Sequence, residues 1–321
     1  MTNRQTFNIV SLVIIIVTLF GYGGYYGRML FGSPTSPADN QYIAELASST
    51  DSQNSISAKV PEPASDAVHE NIKAKTTLFA TPVIQTRPNW KISGRLSEQI
   101  YALKLRFENG DLVAGYILAM NLRYCWDNLL NQHDFDRRIQ NEEATNASEA
   151  MIQRLKSKYE KCQGVTHKQQ QQFYHFMRST AEQGFVPAQE NYSQFTPEFF
   201  MSSQEHEALP RDQYIAKREQ FIAEKLHFLN QAAEHGSLKA IAKLANLYYS
   251  QNYGSQGWVK AFAYNQVILA FTDNNALYQR NQWYIEKLMP SLSAQELAQA
   301  QARSEKIIHA INQNGTLYSA K

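Results

Sequence analysis

The chain has 321 residues, 43% of them hydrophobic, which is enough for one sizeable domain plus extensions. Its formal net charge is +2, and the 31 basic residues are dispersed among 29 acidic ones with no basic run. That balance leaves no electrostatic footprint for nucleic acid, and no nucleic-acid-binding module is recognisable.

Seven residues form a short head, and Asn8 to Gly27 then run without a charge. About 20 such residues at ~1.5 Å each cross the ~30 Å hydrocarbon core of a bilayer. Tyr22, Tyr25 and Tyr26 suit the membrane interface, Arg28 follows as a stop, and no A-x-A cleavage signal is present. These features favour a retained signal-anchor helix at 8–27 over a cleaved leader. A short head before a long domain places residues 1–7 in the cytoplasm and the rest outside it. No Cys lies near the anchor to accept a lipid.

Residues 28–75 are rich in Ser, Pro, Ala, Asp and Asn and carry no apolar period, so they read as a disordered tether. Residues 76–95 contain Pro82 and Pro88 and read as extended. They are expected to lie against the first helices rather than to form a sheet.

From Leu96 onward the pattern is helical. Ile215, Ile222, Leu226, Leu229 and Ala233 are spaced as one helix face, with Pro210 at its start. No comparable run alternates with period two, so no sheet is predicted. Helices break at glycines in a repeated way. Gly110 is followed at four, eight and twelve residues by Ala114, Leu118 and Leu122. Gly184 is followed by Ala188 and Tyr192, with Phe195 near the last position, and Gly236 by Ala240, Leu244 and Tyr248. Gly110 and Gly184 are 74 residues apart, twice 37, so a degenerate unit is expected at Ala147 with Met151, Leu155 and Tyr159. The longer step from Gly184 to Gly236 implies an insertion that includes "TPEFFMSSQEHEALP". Glycine reaches a left-handed helix cap at little cost, and a small residue four later lets two helices approach closely. Periods of this size mean stacked helical pairs, an all-α α-solenoid.

At these residues the chain resembles the Sel1-like repeat family, relatives of the tetratricopeptide repeats. The family pattern, A-A-x-x-G-x-x-x-A-x-x-x-L-G-x-x-Y, is matched by Ala232, Ala233, Gly236, Ala240, Leu244 and Tyr248, with Ala245 in place of the second glycine. Gly254 and Gly257 supply the following loop, and Lys260, Ala261 and Tyr264 match the next helix, with Ala263 where Trp is usual. The resemblance implies repeats over 96–314, a short tail at 315–321, and a surface for protein contacts. It implies no catalytic residue.

Cys125 and Cys162 are the only cysteines. They stand 15 residues beyond Gly110 and 15 beyond Ala147, so they occupy equivalent positions in neighbouring units. In an oxidising compartment such thiols pair, provided the helix ends converge; two separate buried thiols are the alternative. The eight histidines make no ligand set: His206 stands beside Glu205 and Glu207 without a His-Glu-x-x-His spacing. No cofactor motif and no nucleophile elbow is present. Tyr249, Tyr253 and Trp258 lie off the repeat positions and are candidates for a partner-binding face. The reading is a single-pass protein of a bacterial inner membrane with a periplasmic, non-enzymatic solenoid that binds a protein or peptide. An envelope enzyme acting on peptidoglycan, with the solenoid as scaffold, and a cytoplasmic scaffold with a reversed anchor are the alternatives.

Overall fold

The computed structural model describes residues 81–128, 131–250 and 254–320. The head, the anchor helix at 8–27, the tether at 28–75 and Tyr253 lie outside the described residues. Among the described residues no helix is long and apolar enough to cross a membrane.

The chain is predominantly helical. A strand β1 (Val83–Gln85) precedes α1 (Leu96–Glu108) and α2 (Leu112–Tyr124). Next come α3 (Gln132–Ala144), α4 (Glu149–Cys162), α5 (His167–Gln171), α6 (Phe173–Glu182) and α7 (Val186–Tyr192). Then follow α8 (Pro197–Ser203), a 3-10 turn at His206–Ala208, α9 (Arg211–Glu234), α10 (Leu238–Ser250) and α11 (Gly254–Phe271). The last elements are α12 (Asn275–Leu288), α13 (Ala294–Asn314) and β2 (Thr316–Tyr318).

Three joints share one geometry. Gly110, Gly184 and Gly236 have φ of 90°, 85° and 75°. At each, the glycine N–H and the next N–H turn back to consecutive carbonyls of the last turn. The acceptors are Phe107 and Arg106, then Ala181 and Thr180, then Ala233 and Ala232. This double bond is the Schellman closure, which satisfies orphan carbonyls and requires a left-handed residue. Four residues past each glycine, Ala114, Ala188 and Ala240 are buried; eight past, so are Leu118, Tyr192 and Leu244. The helix before each joint packs on the helix after it, α1 on α2, α6 on α7 and α9 on α10. Between these pairs α2 packs on α6, α7 on α9 and α10 on α11, which in turn meets α12 and α13. The small alanines sit at these closely packed surfaces, as close helix approach requires.

The expected unit at Ala147 differs. The left-handed residue is Asn146, one position earlier, with the same paired bonds from Asn146 to Glu143 and from Ala147 to Glu142. Met151 is 39% exposed, and α3 buries none of its residues. With Asp, Arg, Gln and Glu on every side, α3 has no apolar stripe to insert between other helices. Its hairpin with α4 packs chiefly on itself and on α1. A disulfide joins this hairpin to the rest: Cys125 at the end of α2 is bonded to Cys162 at the end of α4, with Cα atoms 5.4 Å apart. The helix ends therefore converge as pairing requires.

The insertion between α7 and α9 is present as α8 and the 3-10 turn. Along α9, Leu229 and Ala233 are buried, but Ile215 is 39% exposed and Phe221, Phe228 and Ala232 carry the rest of the inner face. The core forms two clusters. Leu118, Met177, Tyr192 and Phe221 belong to the first, and Leu229, Ile241, Leu244 and Ile268 to the second. Helices α7 and α9 contribute to both and tie them together.

The expectation of no sheet is corrected at both ends of the domain. β1 and β2 pair in parallel, with Val83 opposite Thr316 and Gln85 opposite Tyr318. Residues 315–320 are thus not a loose tail. Tyr318 N–H donates to the Gly236 carbonyl and Thr316 Oγ1 to the His235 carbonyl, so β2 lies on the α9–α10 joint. From β1 the segment continues past Glu190 on α7 to Asn121 on α2 and Lys161 on α4 before entering α1, with Trp90 and Ile92 packed against the first core cluster. Strands of three residues are too short for an alternating pattern to register in sequence.

Candidate docking surface

Of the three candidate binding residues, Tyr249 and Trp258 are partly buried against the second core cluster. Tyr249 meets the edge of Tyr284 on α12 with ring centroids 5.0 Å apart, and Tyr284 meets Trp283 in the same edge-to-face manner at 5.0 Å. Trp283 is 49% exposed, and the Lys287 ammonium lies 5.6 Å from its ring centroid. An α10–α12 surface therefore carries a row of three aromatic rings ending in an open indole. Sequence reasoning missed Trp283 and Tyr284; the visible signal was "QWYIEK" in a helix with no repeat position assigned to it. Indole and phenol rings supply large rigid contact area at little entropic cost, and Trp, Tyr and Arg dominate the energetics of protein interfaces.

A second polar arrangement lies between α6, α7 and α9. Arg178 makes two bonds to Glu224, at 3.0 and 2.9 Å. Tyr192 donates to Glu224 Oε2 at 2.8 Å, and Gln220 donates to Oε1 at 3.2 Å. The Tyr192 hydroxyl has one proton, already given to the carboxylate, so the 3.0 Å contact with Tyr174 is a bond donated by Tyr174. Although burial opposes it, Arg178 and these donors hold Glu224 below its usual carboxylate pKa, and burial pushes Tyr174 up to about 12. All four lone-pair positions of Glu224 are spent on protein donors. The cluster thereby ties three helices together, and beside it Phe200 stacks on Phe221 at 4.5 Å. The cleft alongside holds about 220 Å³ and is rimmed by His206 and Lys217. Among the described residues no group of three or more His, Cys, Asp or Glu could hold a metal ion.

Two lysines cap the end of α7. Lys225 Nζ donates to the Phe195 carbonyl at 3.0 Å, and Lys243 Nζ bonds the Ser193 carbonyl and hydroxyl. Burial, helped by the nearby Lys225 charge, lowers Lys243 to about 8 from its usual 10.5. The unfolded chain therefore binds more protons than the folded one between those values, so this group makes stability rise with pH through that window. Chemical denaturation from pH 7.5 to 9.5 should show that rise in the wild type and a flatter curve in Lys243→Met.

The strongest polar centre is Glu190 on α7, 4% exposed. Arg87 from the extended segment makes two bonds to it, at 2.6 and 2.7 Å, and Ser237 at the start of α10 donates to Oε1 at 2.5 Å. The Arg87 guanidinium also lies 5.7 Å from the centre of the Tyr318 ring. One carboxylate thus joins the extended segment, α7 and α10.

No protein-family model matches the chain, and neither a curated protein nor a solved structure does.

Proposed function

We propose that the chain is a non-enzymatic, membrane-anchored periplasmic scaffold whose stacked helix pairs, of Sel1-like repeat type, dock a protein or peptide partner. Three observations support the reading. The glycine joints recur with one geometry and bury equivalent residues. The Cys125–Cys162 bond suits an oxidising compartment. The observation that carries it is the half-exposed Trp283 at the end of the Tyr249–Tyr284 row. A half-exposed indole offers a large, rigid contact area and is the kind of anchor that partner pockets cover.

The test is a photo-crosslinking amino acid placed at 283 in the native cell, compared with one at exposed Lys239 on α10. A specific adduct from 283 alone is the expected result; equal labelling from both positions, or none, counts against the reading. Stability separates the row into anchor and support. Trp283→Ala should shift the melting temperature by no more than about 1–2 °C, as exposed substitutions do. Tyr249→Ala should lower it by several degrees, because its ring is partly buried against Tyr284 and the core.

A further inference from the structure

The segment from β1 to α1 is held in an unusual way. At its start the apolar side chains contribute little, Val83 and Ile84 being 63% and 69% exposed, whereas Trp90 and Ile92 farther on pack against the first core cluster. It is fixed besides through its backbone and one cation. Asn121 Nδ2 on α2 donates to the Trp90 carbonyl at 2.5 Å, and Lys161 Nζ on α4 donates to the Ile92 carbonyl at 2.8 Å. Arg87 pairs with Glu190 on α7. The seat thus reads main-chain carbonyls, one guanidinium and the apolar side chains that follow it, features that an extended peptide with an arginine and apolar residues beyond it presents.

The fit is also incomplete. Asn121 is fully buried, and its two N–H donors go to Trp90 and to its own helix at the Ile117 carbonyl. Its Oδ1 has no hydrogen-bond partner. A carboxamide that receives an extended chain can bond both a carbonyl and an N–H; here only the carbonyl is used. Buried acceptors are rarely left unmade in native proteins, and each such exception calls for an explanation.

We infer that the seat formed by Asn121, Glu190 and Lys161 is a docking site for an extended, arginine-bearing peptide, and that residues 83–92 occupy it in cis as a replaceable stand-in. A partner strand that places its arginine on Glu190 and gives a main-chain N–H to Asn121 Oδ1 makes one more bond than the chain's own segment does. The resident segment lowers apparent affinity by keeping the competent, open state a minor fraction. This rests on the reading of the chain as a docking module and names the chemistry of its partner.

The experiment uses the full-length chain and a fluorescent peptide of residues 81–92. Arg87→Ala in the protein weakens the resident segment, so the peptide should bind this variant at least about tenfold more tightly than it binds wild type. Glu190→Gln added to that variant should abolish the gain, as should a peptide carrying Arg87→Ala. Equal binding to wild type and Arg87→Ala, or binding that survives Glu190→Gln, overturns the inference. Should Arg87→Ala not fold, hydrogen exchange on the wild type decides. The Val83 N–H, bonded to Gly315, should exchange at least about 100-fold faster than the Ser237 N–H in the α9–α10 joint, by local opening. Exchange of both at one rate, through global unfolding, means the segment does not leave its seat and sinks the proposal. Failure of the Trp283 crosslink with peptide binding intact would instead strike the scaffold surface on α10–α12 alone.

Discussion

Replacing both cysteines by alanine is expected to lower the stability of the domain by about 3–4 kcal/mol, the chain-entropy value for a bridge that spans 37 residues. The loss should be concentrated in one place. The α3–α4 hairpin offers few apolar contacts of its own: α3 buries nothing, and α4 buries Ile152, Tyr159 and Cys162. Its internal adhesion is mainly the Phe135–Tyr159 stack, with centroids 4.1 Å apart. Without the bridge, α4 retains the Lys158 bond to the Trp126 carbonyl and the Lys161 bond to Ile92, both partly exposed. Urea unfolding of Cys125→Ala/Cys162→Ala against the oxidised wild type measures the size of the effect. Limited proteolysis locates it: cleavage should appear within 131–162 while α9–α13 stays intact. A loss under about 1 kcal/mol would mean that the hairpin docks by other contacts, or that the unfolded chain keeps the two helices together.

The parts of this fold that could be read from sequence are those fixed by local chemistry. Gly110, Gly184 and Gly236 show themselves because a left-handed cap is cheapest for glycine, and because the alanine four residues later must be small where helices touch. Both constraints act within a dozen residues, so spacing exposes them. The spacing of Cys125 and Cys162 likewise pointed to a pair, and the bridge is present. Yet the unit inferred at Ala147 shows how a period misleads: Asn146 supplies the left-handed cap, and the hairpin beyond it lacks the apolar face that a stacked pair needs. Its helix ends reach the disulfide from outside the stack.

What could not be read is long-range. Arg87 meets Glu190 across 103 residues, and nothing in either local stretch marks the pair. The β1–β2 pairing joins segments near opposite ends of the described chain, each three residues long, below the length at which alternation becomes visible. The aromatic row spans two helices, of which only one carries a repeat pattern. Tyr249 was visible as off-pattern, but its partner Tyr284 and the open Trp283 lie on α12, a helix outside the repeat register, so their proximity depends on how α12 packs on α11.

The same distinction between local and long-range constraint gives the sharpest expected difference between two chemically identical substitutions. Gly184 and Gly236 have nearly the same backbone, with φ of 85° and 75°, and the same pair of closing hydrogen bonds. Around Gly184 an added Cβ would meet nothing within 4 Å. Gly184→Ala should therefore cost only the left-handed penalty of an L-residue, about 1–2 kcal/mol. At Gly236 the added Cβ would lie 2.3 Å from the Thr316 carbonyl oxygen and 3.0 Å from Leu317 Cα, both backbone atoms of β2. No rotamer change relieves a contact with backbone, so β2 must move away from the joint. Moving it breaks the Tyr318 N–H bond to the Gly236 carbonyl and strains the pairing with β1. Gly236→Ala should then cost about 3 kcal/mol or more, the left-handed penalty plus that of overpacking a filled contact. Thermal unfolding of the two variants side by side gives the comparison. Hydrogen exchange at Val83 and Tyr318 should accelerate in Gly236→Ala and stay at the wild-type rate in Gly184→Ala. Equal melting temperatures for the two variants would mean that β2 yields without cost, and that the C-terminal strand contributes nothing to holding the α9–α10 joint.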